Sequence, residues 1–136
     1  MAITLDHALA LSHNKVEAGQ FLARVLNVAC GPANIGPFFA VYVSDSCTLD
    51  FDEVAEPYPI QHFCFRVTEA EFDDVLDRIR MAGIPYRSVP HGPDDRSVNT
   101  RLAGRILYWT APDGHIWELL TESYARRAVP IPGRDP

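Results

Sequence analysis

Two histidines and two carboxylates recur at matching places in the two halves of this chain, and both residue types bind metal ions. His7 and His62 each lie in an alternating, strand-like segment that precedes a helical one. Asp50 and Glu118 each lie in the last strand-like segment of their half. Neutral imidazole and carboxylate are common ligands of Zn, Fe, Ni and Mn. These four residues are therefore candidate ligands of a divalent metal ion held between the two halves.

Each candidate ligand also has an ordinary structural explanation. A single histidine in a strand more often forms a hydrogen bond in the core or at the surface than it binds a metal. Glu118 would equally pair with an arginine, and Asp50, close to Asp52 and Glu53, would equally belong to a solvated edge. The argument for a metal site rests on several such residues in register across a duplication.

The alternation of side chains along the strands predicts which way the two carboxylates point. Trp117 and Leu119 flank Glu118 and must lie on the opposite face of its strand. They suit the face that packs on helices, which leaves Glu118 facing away from the helices. Asp50 has the same relation to its own two apolar neighbours. A carboxylate on a partly apolar face needs a partner, and a metal ion would supply one.

The elements that must position these residues form the same series in each half. A helix is predicted after Asn14, which has Glu17 three residues on, and another after Thr68, which has Glu71 in a capping-box pattern. Both helices carry an apolar stripe at helical spacing. Strands are predicted at residues 3–11, 38–43, 48–54, 60–67, 85–89, 105–110 and 115–121, with a long polar segment before Gly104 that has the length of a lid.

The composition excludes several classes of protein. The formal charge of −6 and the lack of a basic patch argue against nucleic-acid binding. No apolar run approaches the roughly 20 residues of a membrane helix, and we see no signal peptide. Three cysteines cannot all pair within one chain, so reduced thiols and a cytoplasmic location are expected.

The segment from Tyr108 to Leu119, YWTAPDGHIWEL, resembles the closing hairpin of the vicinal oxygen chelate superfamily. This superfamily includes glyoxalase I, extradiol dioxygenases, fosfomycin-resistance enzymes, methylmalonyl-CoA epimerase and bleomycin-binding proteins. Leu5-Asp6-His7 and Ile60-Gln61-His62-Phe63 resemble its other ligand-bearing strands. The resemblance implies an α+β fold of two βαβββ modules that form a cupped mixed sheet. We place the modules at residues 1–56 and 57–124, with an extended tail at 125–136.

The same resemblance implies that His7, His62 and Glu118 are metal ligands. Asp50 matches the position at which glyoxalase I has a fourth ligand, a glutamate, but its side chain is one methylene shorter. Three ligands would leave open positions that suit Fe(II) or Mn, whereas four would suit Zn or Ni. The implied function is a metal-dependent enzyme acting on a small substrate with vicinal oxygens, either a glyoxalase-like lyase or an extradiol-type dioxygenase. The alternative is a non-catalytic binding protein of the bleomycin-resistance type.

Further residues are predicted to contact the substrate. Tyr108 has the same parity along its strand as Ile106 and Thr110 and should face the cup. It is a candidate for donating a hydrogen bond or a proton to a metal-bound oxyanion, or else forms an aromatic wall of the pocket. Phe38 and Tyr42 are predicted to line the cup, and Arg101 to meet the substrate from the lid segment. Because related proteins often pair modules across two chains, we also predict a homodimer.

Overall fold

The computed structural model describes residues 3–126. The elements follow one another in the order β1 His7–Ser12, α1 Lys15–Leu26, β2 Cys30–Pro32, β3 Phe39–Ser44, β4 Cys47–Glu53, β5 His62–Arg66, α2 Glu69–Met81, β6 Ile106–Thr110 and β7 Ile116–Leu120. Neither helix of the described residues is long and apolar enough to cross a membrane.

The strands form two mixed sheets, one in each half of the chain. The first has the order β1-β4-β3-β2 and the second the order β5-β7-β6. In both sheets the opening strand pairs in parallel with the closing strand, which then pairs antiparallel with the strand before it. Arg87 forms a single bridge to Tyr108 on the free edge of β6, where the first sheet has its fourth strand. The predicted α+β fold of two βαβββ modules is confirmed.

The helices cover one face of each sheet and form the core with it. The apolar stripe of α2 is buried as predicted, and Trp117 and Leu119 lie in the same cluster. The rings of Phe51 from the first module and Trp117 from the second lie 6.3 Å apart, so one core spans both modules. Since Trp117 and Leu119 occupy the helix-facing side, Glu118 lies on the opposite face of its sheet.

Both helices begin at the predicted capping residues. The Asn14 side chain accepts a hydrogen bond from the Glu17 amide, and Thr68 forms a complete capping box with Glu71. Helix α1 ends at Leu26, and the next residue, Asn27, adopts a left-handed conformation with φ of 56° and donates its backbone N–H to the Ala23 carbonyl. These local signals correctly located the helices because capping depends only on neighbouring residues.

The strands differ from the prediction at four points. Strand β1 begins at His7, and Ile3 and Leu5 lie outside it with 90% and 68% of their surface exposed. His62 likewise opens β5 instead of lying in its middle. The predicted strand at 85–89 is reduced to the Arg87 bridge. The short strand β2 was missed because Cys30-Gly31-Pro32 has no alternating pattern.

The two modules are tied together where β1 and β5 approach each other. The Gln61 side chain accepts a hydrogen bond from the Leu11 amide at 2.9 Å and donates one to the Leu9 carbonyl at 3.0 Å, so it continues the ladder on the free edge of β1. His115 is fully buried, accepts from the Gln61 amide through Nδ1 and donates to the Leu11 carbonyl through Nε2. Arg78 adds a bond between the helices, from its Nε to the Val25 carbonyl at 2.8 Å. We call this set of contacts the module seam.

Replacing Gln61 with leucine should destabilise the fold, because both hydrogen bonds of its side chain to β1 are lost. We expect the free energy of unfolding to fall by about 1–2 kcal/mol, measured by urea denaturation. Gln20→Leu, at an exposed position of α1, is the matched control and should stay within about 0.5 kcal/mol of the parent chain. Equal stability of the two variants would contradict the account of the module seam.

Candidate metal centre

His62 and Glu118 face each other across the second sheet. His62 lies opposite Ile116 and Glu118 lies opposite Cys64, so the parallel pairing of β5 and β7 puts both side chains on one face. His62 Nε2 lies 3.0 Å from Glu118 Oε1, and only 1% of the Glu118 side chain is exposed, against 47% for His62. The structure therefore pairs Glu118 with a histidine and not with an arginine.

The hydrogen bonds of His62 determine what its other nitrogen can do. Nδ1 lies 3.0 Å from the Ile116 carbonyl oxygen, which can only accept, so Nδ1 carries the hydrogen. In the neutral ring Nε2 is then an acceptor that faces an oxygen of Glu118. Two acceptors at this distance need a cation between them, either a proton or a metal ion. The donor set therefore fits a divalent metal.

Two tyrosines cover the carboxylate of Glu118. The Tyr124 hydroxyl lies 2.8 Å from Oε1 and 2.6 Å from Oε2 of Glu118. Burial, followed by its hydrogen bonds to Glu118 and Tyr108, raises the pKa of Tyr124. Burial and the negative charge of Glu118 raise the pKa of Tyr108, which lies opposite Glu118 in the pairing of β6 and β7. Both phenols are therefore hydrogen-bond donors at neutral pH.

Cys64 completes the surroundings of Glu118. Cys64 lies opposite Glu118 in the pairing of β5 and β7, and as a residue it is exposed. Desolvation of its thiol, followed by the charge of Glu118, raises the pKa of Cys64 to about 12.

The first module carries the other two candidate ligands on its own sheet. His7 lies opposite Thr48 and Asp50 lies opposite Leu9, so His7 and Asp50 share the face that points away from α1. His7 Nδ1 donates to the Asp6 carboxylate at 2.8 Å, and this bond and the charge of Asp6 raise the pKa of His7. His7 thus resembles His62, since in each ring Nδ1 is held by an oxygen and Nε2 is left to bind a ligand.

An open cavity lies over this face of the first module. Its volume is about 470 Å³. The residues that line it include His7 and Asp50 and the predicted contacts Phe38 and Tyr42, together with Asp6, Ala33, Asn34, Ile35, Ala40 and Thr48. The structure therefore places the predicted pocket residues of the first module beside its candidate ligands. Arg101 lies on the exposed loop before Gly104, and its role as a substrate contact remains a prediction.

The four candidate ligands form two pairs in a single chain. His62 and Glu118 meet on the second sheet, while His7 and Asp50 lie on the first. Among residues 3–126, no three histidine, cysteine or acidic side chains converge closely enough to hold a metal ion. Within the described part of a single chain, the predicted convergence of all the ligands at one point is therefore not found.

Sequence reasoning missed Tyr124 and Asp6. Tyr124 follows the last strand in a segment without periodicity, and its contact with Glu118 depends on the chain turning back over the sheet. Asp6 precedes His7 directly, and a carboxylate next to a candidate histidine ligand is a signal that sequence alone contains.

The chain was compared with known proteins. It matches no family model and no curated protein. Among solved structures, the oxidase ChaP-H1 is 35% identical with a TM-score of 0.81, over 92% of this chain and 100% of ChaP-H1. The oxidase ChaP-H2 is 33% identical with a TM-score of 0.82, over 92% of this chain and 98% of that chain. FosX, a fosfomycin resistance protein from Listeria monocytogenes, is 17% identical with a TM-score of 0.66, over 91% of this chain and 97% of FosX. It shares the fold.

The fold is that of proteins built from two βαβββ modules. Identity of one third with the ChaP-H oxidases extends over nearly the whole of both chains. The chain belongs to the vicinal oxygen chelate superfamily.

Proposed function

We propose that this protein is a divalent-metal-dependent oxidase or dioxygenase that acts on a small substrate with vicinal oxygens. The observation that carries the proposal is the buried Glu118 oxygen facing the free nitrogen of His62 at 3.0 Å. This pair needs a cation, and a metal ion bound there would have room for further ligands on the open side of His62. The superfamily, whose members generally use divalent metals, supports the same assignment.

His7, His62 and Glu118 are the proposed ligands. Two imidazoles and one carboxylate leave coordination positions open, as in non-haem Fe(II) oxygenases. When bound, such a metal supplies Lewis-acid stabilisation of charge on adjacent substrate oxygens and a place for O₂. Asp50 lies on the face of His7, and its shorter side chain makes it a fourth ligand only if the metal lies close to the first sheet.

The oxygen-using reaction is favoured over a glyoxalase-like lyase reaction by the names of the relatives. ChaP-H1 and ChaP-H2 are described as oxidases and are one third identical to this chain. The open ligand set of two histidines and one carboxylate suits oxygen chemistry better than a four-ligand set does. The neutral phenol of Tyr108, beside Glu118, is placed to donate a hydrogen bond to a substrate oxyanion.

The proposed site is completed by a second copy of the chain. The module seam holds β1 beside β5, and the two ligand pairs remain apart on their own sheets. His7 and His62 both keep partly exposed side chains, with 65% and 47% of their surface accessible. A twofold-symmetric dimer would bring His7 of one copy close to His62 and Glu118 of the other. The symmetry gives two such sites in each dimer. A homodimer with two composite sites is therefore our proposed functional form.

Metal affinity should depend on the proposed ligands and not on other histidines of the chain. Protein purified without added metal should take up about one equivalent of Mn²⁺ per chain. His62→Ala and Glu118→Gln should each weaken binding by at least about 100-fold, more than the loss of an outer partner does. His91→Ala, on the exposed loop, is the control and should bind as the parent does. Titration calorimetry measures the Mn²⁺ affinity of the parent chain and of the three variants.

The variant Asp50→Ala, studied in the same titration, shows whether the metal has three or four protein ligands. Unchanged affinity indicates three ligands, and a loss as large as that of Glu118→Gln indicates four. If the parent chain binds less than about a tenth of an equivalent after reconstitution, the metal-dependent function is wrong. A non-catalytic pocket protein of the bleomycin-resistance type then becomes the better account.

The reaction class is tested by oxygen consumption. The Fe(II)-loaded protein, offered a panel of catechols in an oxygen electrode, should consume O₂ with at least one of them. Glu118→Gln should abolish the consumption, and His91→Ala should leave it intact. Turnover of a hemithioacetal without any uptake of O₂ would instead identify a glyoxalase-like lyase.

A further inference from the structure

Tyr124 reaches back over the closing strand to the candidate metal ligand. It lies six residues after Glu118, and its hydroxyl is 2.6 Å from Oε2 and 2.8 Å from Oε1 of that carboxylate. About half of the surface of Tyr124 is exposed, at 51%. The ring therefore adds little to the core, and the contacts that hold this side chain are those of its hydroxyl.

The two oxygens of Glu118 have different surroundings. Oε1 faces His62 Nε2 at 3.0 Å, while the shorter contact of the Tyr124 hydroxyl goes to Oε2. A phenol has one hydrogen to donate. A metal ion held by Nε2 would use Oε1, and the phenol hydrogen would then go to Oε2.

We propose that Tyr124 is a positioning residue that makes Glu118 bind the metal through one oxygen only. This inference rests on the proposed function and deepens it. By occupying Oε2, the phenol keeps the carboxylate from closing on the metal with both oxygens, and so keeps one coordination position open for the substrate. Hydrogen bonds of this kind to ligating carboxylates orient the ligand and contribute to metal affinity.

The test measures the affinity and the coordination geometry of metal binding in Tyr124→Phe. Neither measurement requires the protein to be catalytically active. The dissociation constant for Mn²⁺ should rise about 10- to 100-fold. The visible absorption of the Co²⁺-loaded protein should weaken, because a carboxylate bound through two oxygens raises the coordination number. Tyr86→Phe is the matched control, since its hydroxyl bonds Arg80 and lies outside the Glu118 cluster. It should change the Mn²⁺ affinity less than threefold, a change of about 0.65 kcal/mol.

The outcomes separate the inference from the proposed function. If the parent chain binds Mn²⁺ and Co²⁺, and Tyr124→Phe shows the same Mn²⁺ affinity and the same Co²⁺ absorption, the positioning role is wrong while the metal site stands. If the parent chain binds neither Mn²⁺ nor Co²⁺, the proposed function fails and the role of Tyr124 fails with it. Thermal unfolding of Tyr124→Phe close to that of the parent excludes a general loss of structure as the cause of weaker binding.

Discussion

The central constraint in this structure is that an oxygen of Glu118 faces a nitrogen of His62 and both are acceptors. The backbone fixes this arrangement, because the Ile116 carbonyl takes the only hydrogen of the neutral ring. Glu118 is fully buried and receives a hydrogen bond from the Tyr124 hydroxyl. A buried carboxylate is costly without such partners. A proton on His62 Nε2, which makes the two residues an ion pair, or a metal ion bound to both would satisfy the contact, and the second possibility connects the fold to the proposed chemical role.

The module seam holds the two pairs of candidate ligands on separate sheets of one chain, which is why we propose that a second copy completes each site. Gln61 and His115 fasten the opening strands of the two modules side by side, through bonds to the backbone of β1. Helix contacts on the other face complete the same core. His7 thus belongs to a rigid sheet that is separate from the sheet of His62 and Glu118. Rigid placement favours precise coordination, but it makes the site depend on how two copies meet.

Much of the fold could be predicted from the sequence because the determining signals are local. Alternation along β7 predicted that Trp117 faces the helices and Glu118 faces away, and capping residues located both helices. Strand β2 was not predicted because its Cys-Gly-Pro sequence has no alternation of apolar and polar residues. It is a strand because it pairs with β3. Exposed Ile3 and Leu5 continued the pattern of β1 without a partner strand to pair with.

The candidate site was only partly predictable for a different reason. The residue types and their faces follow from alternation and from the resemblance to the superfamily. The separation of His7 from His62 depends on contacts between modules that are far apart in sequence, and periodicity contains no information about them. The contact between Tyr124 and Glu118 is likewise set by the path of an irregular segment.

The most direct test of the composite site is metal binding by a dimer of two different variants. His7→Ala and Glu118→Gln chains carrying different tags would be co-expressed and purified through both tags. If each site takes His7 from one copy and Glu118 from the other, the mixed dimer has one intact site and should bind about half as much Mn²⁺ as the parent dimer. Each variant alone should bind almost none. A mixed dimer that binds as little as the separate variants would contradict the account.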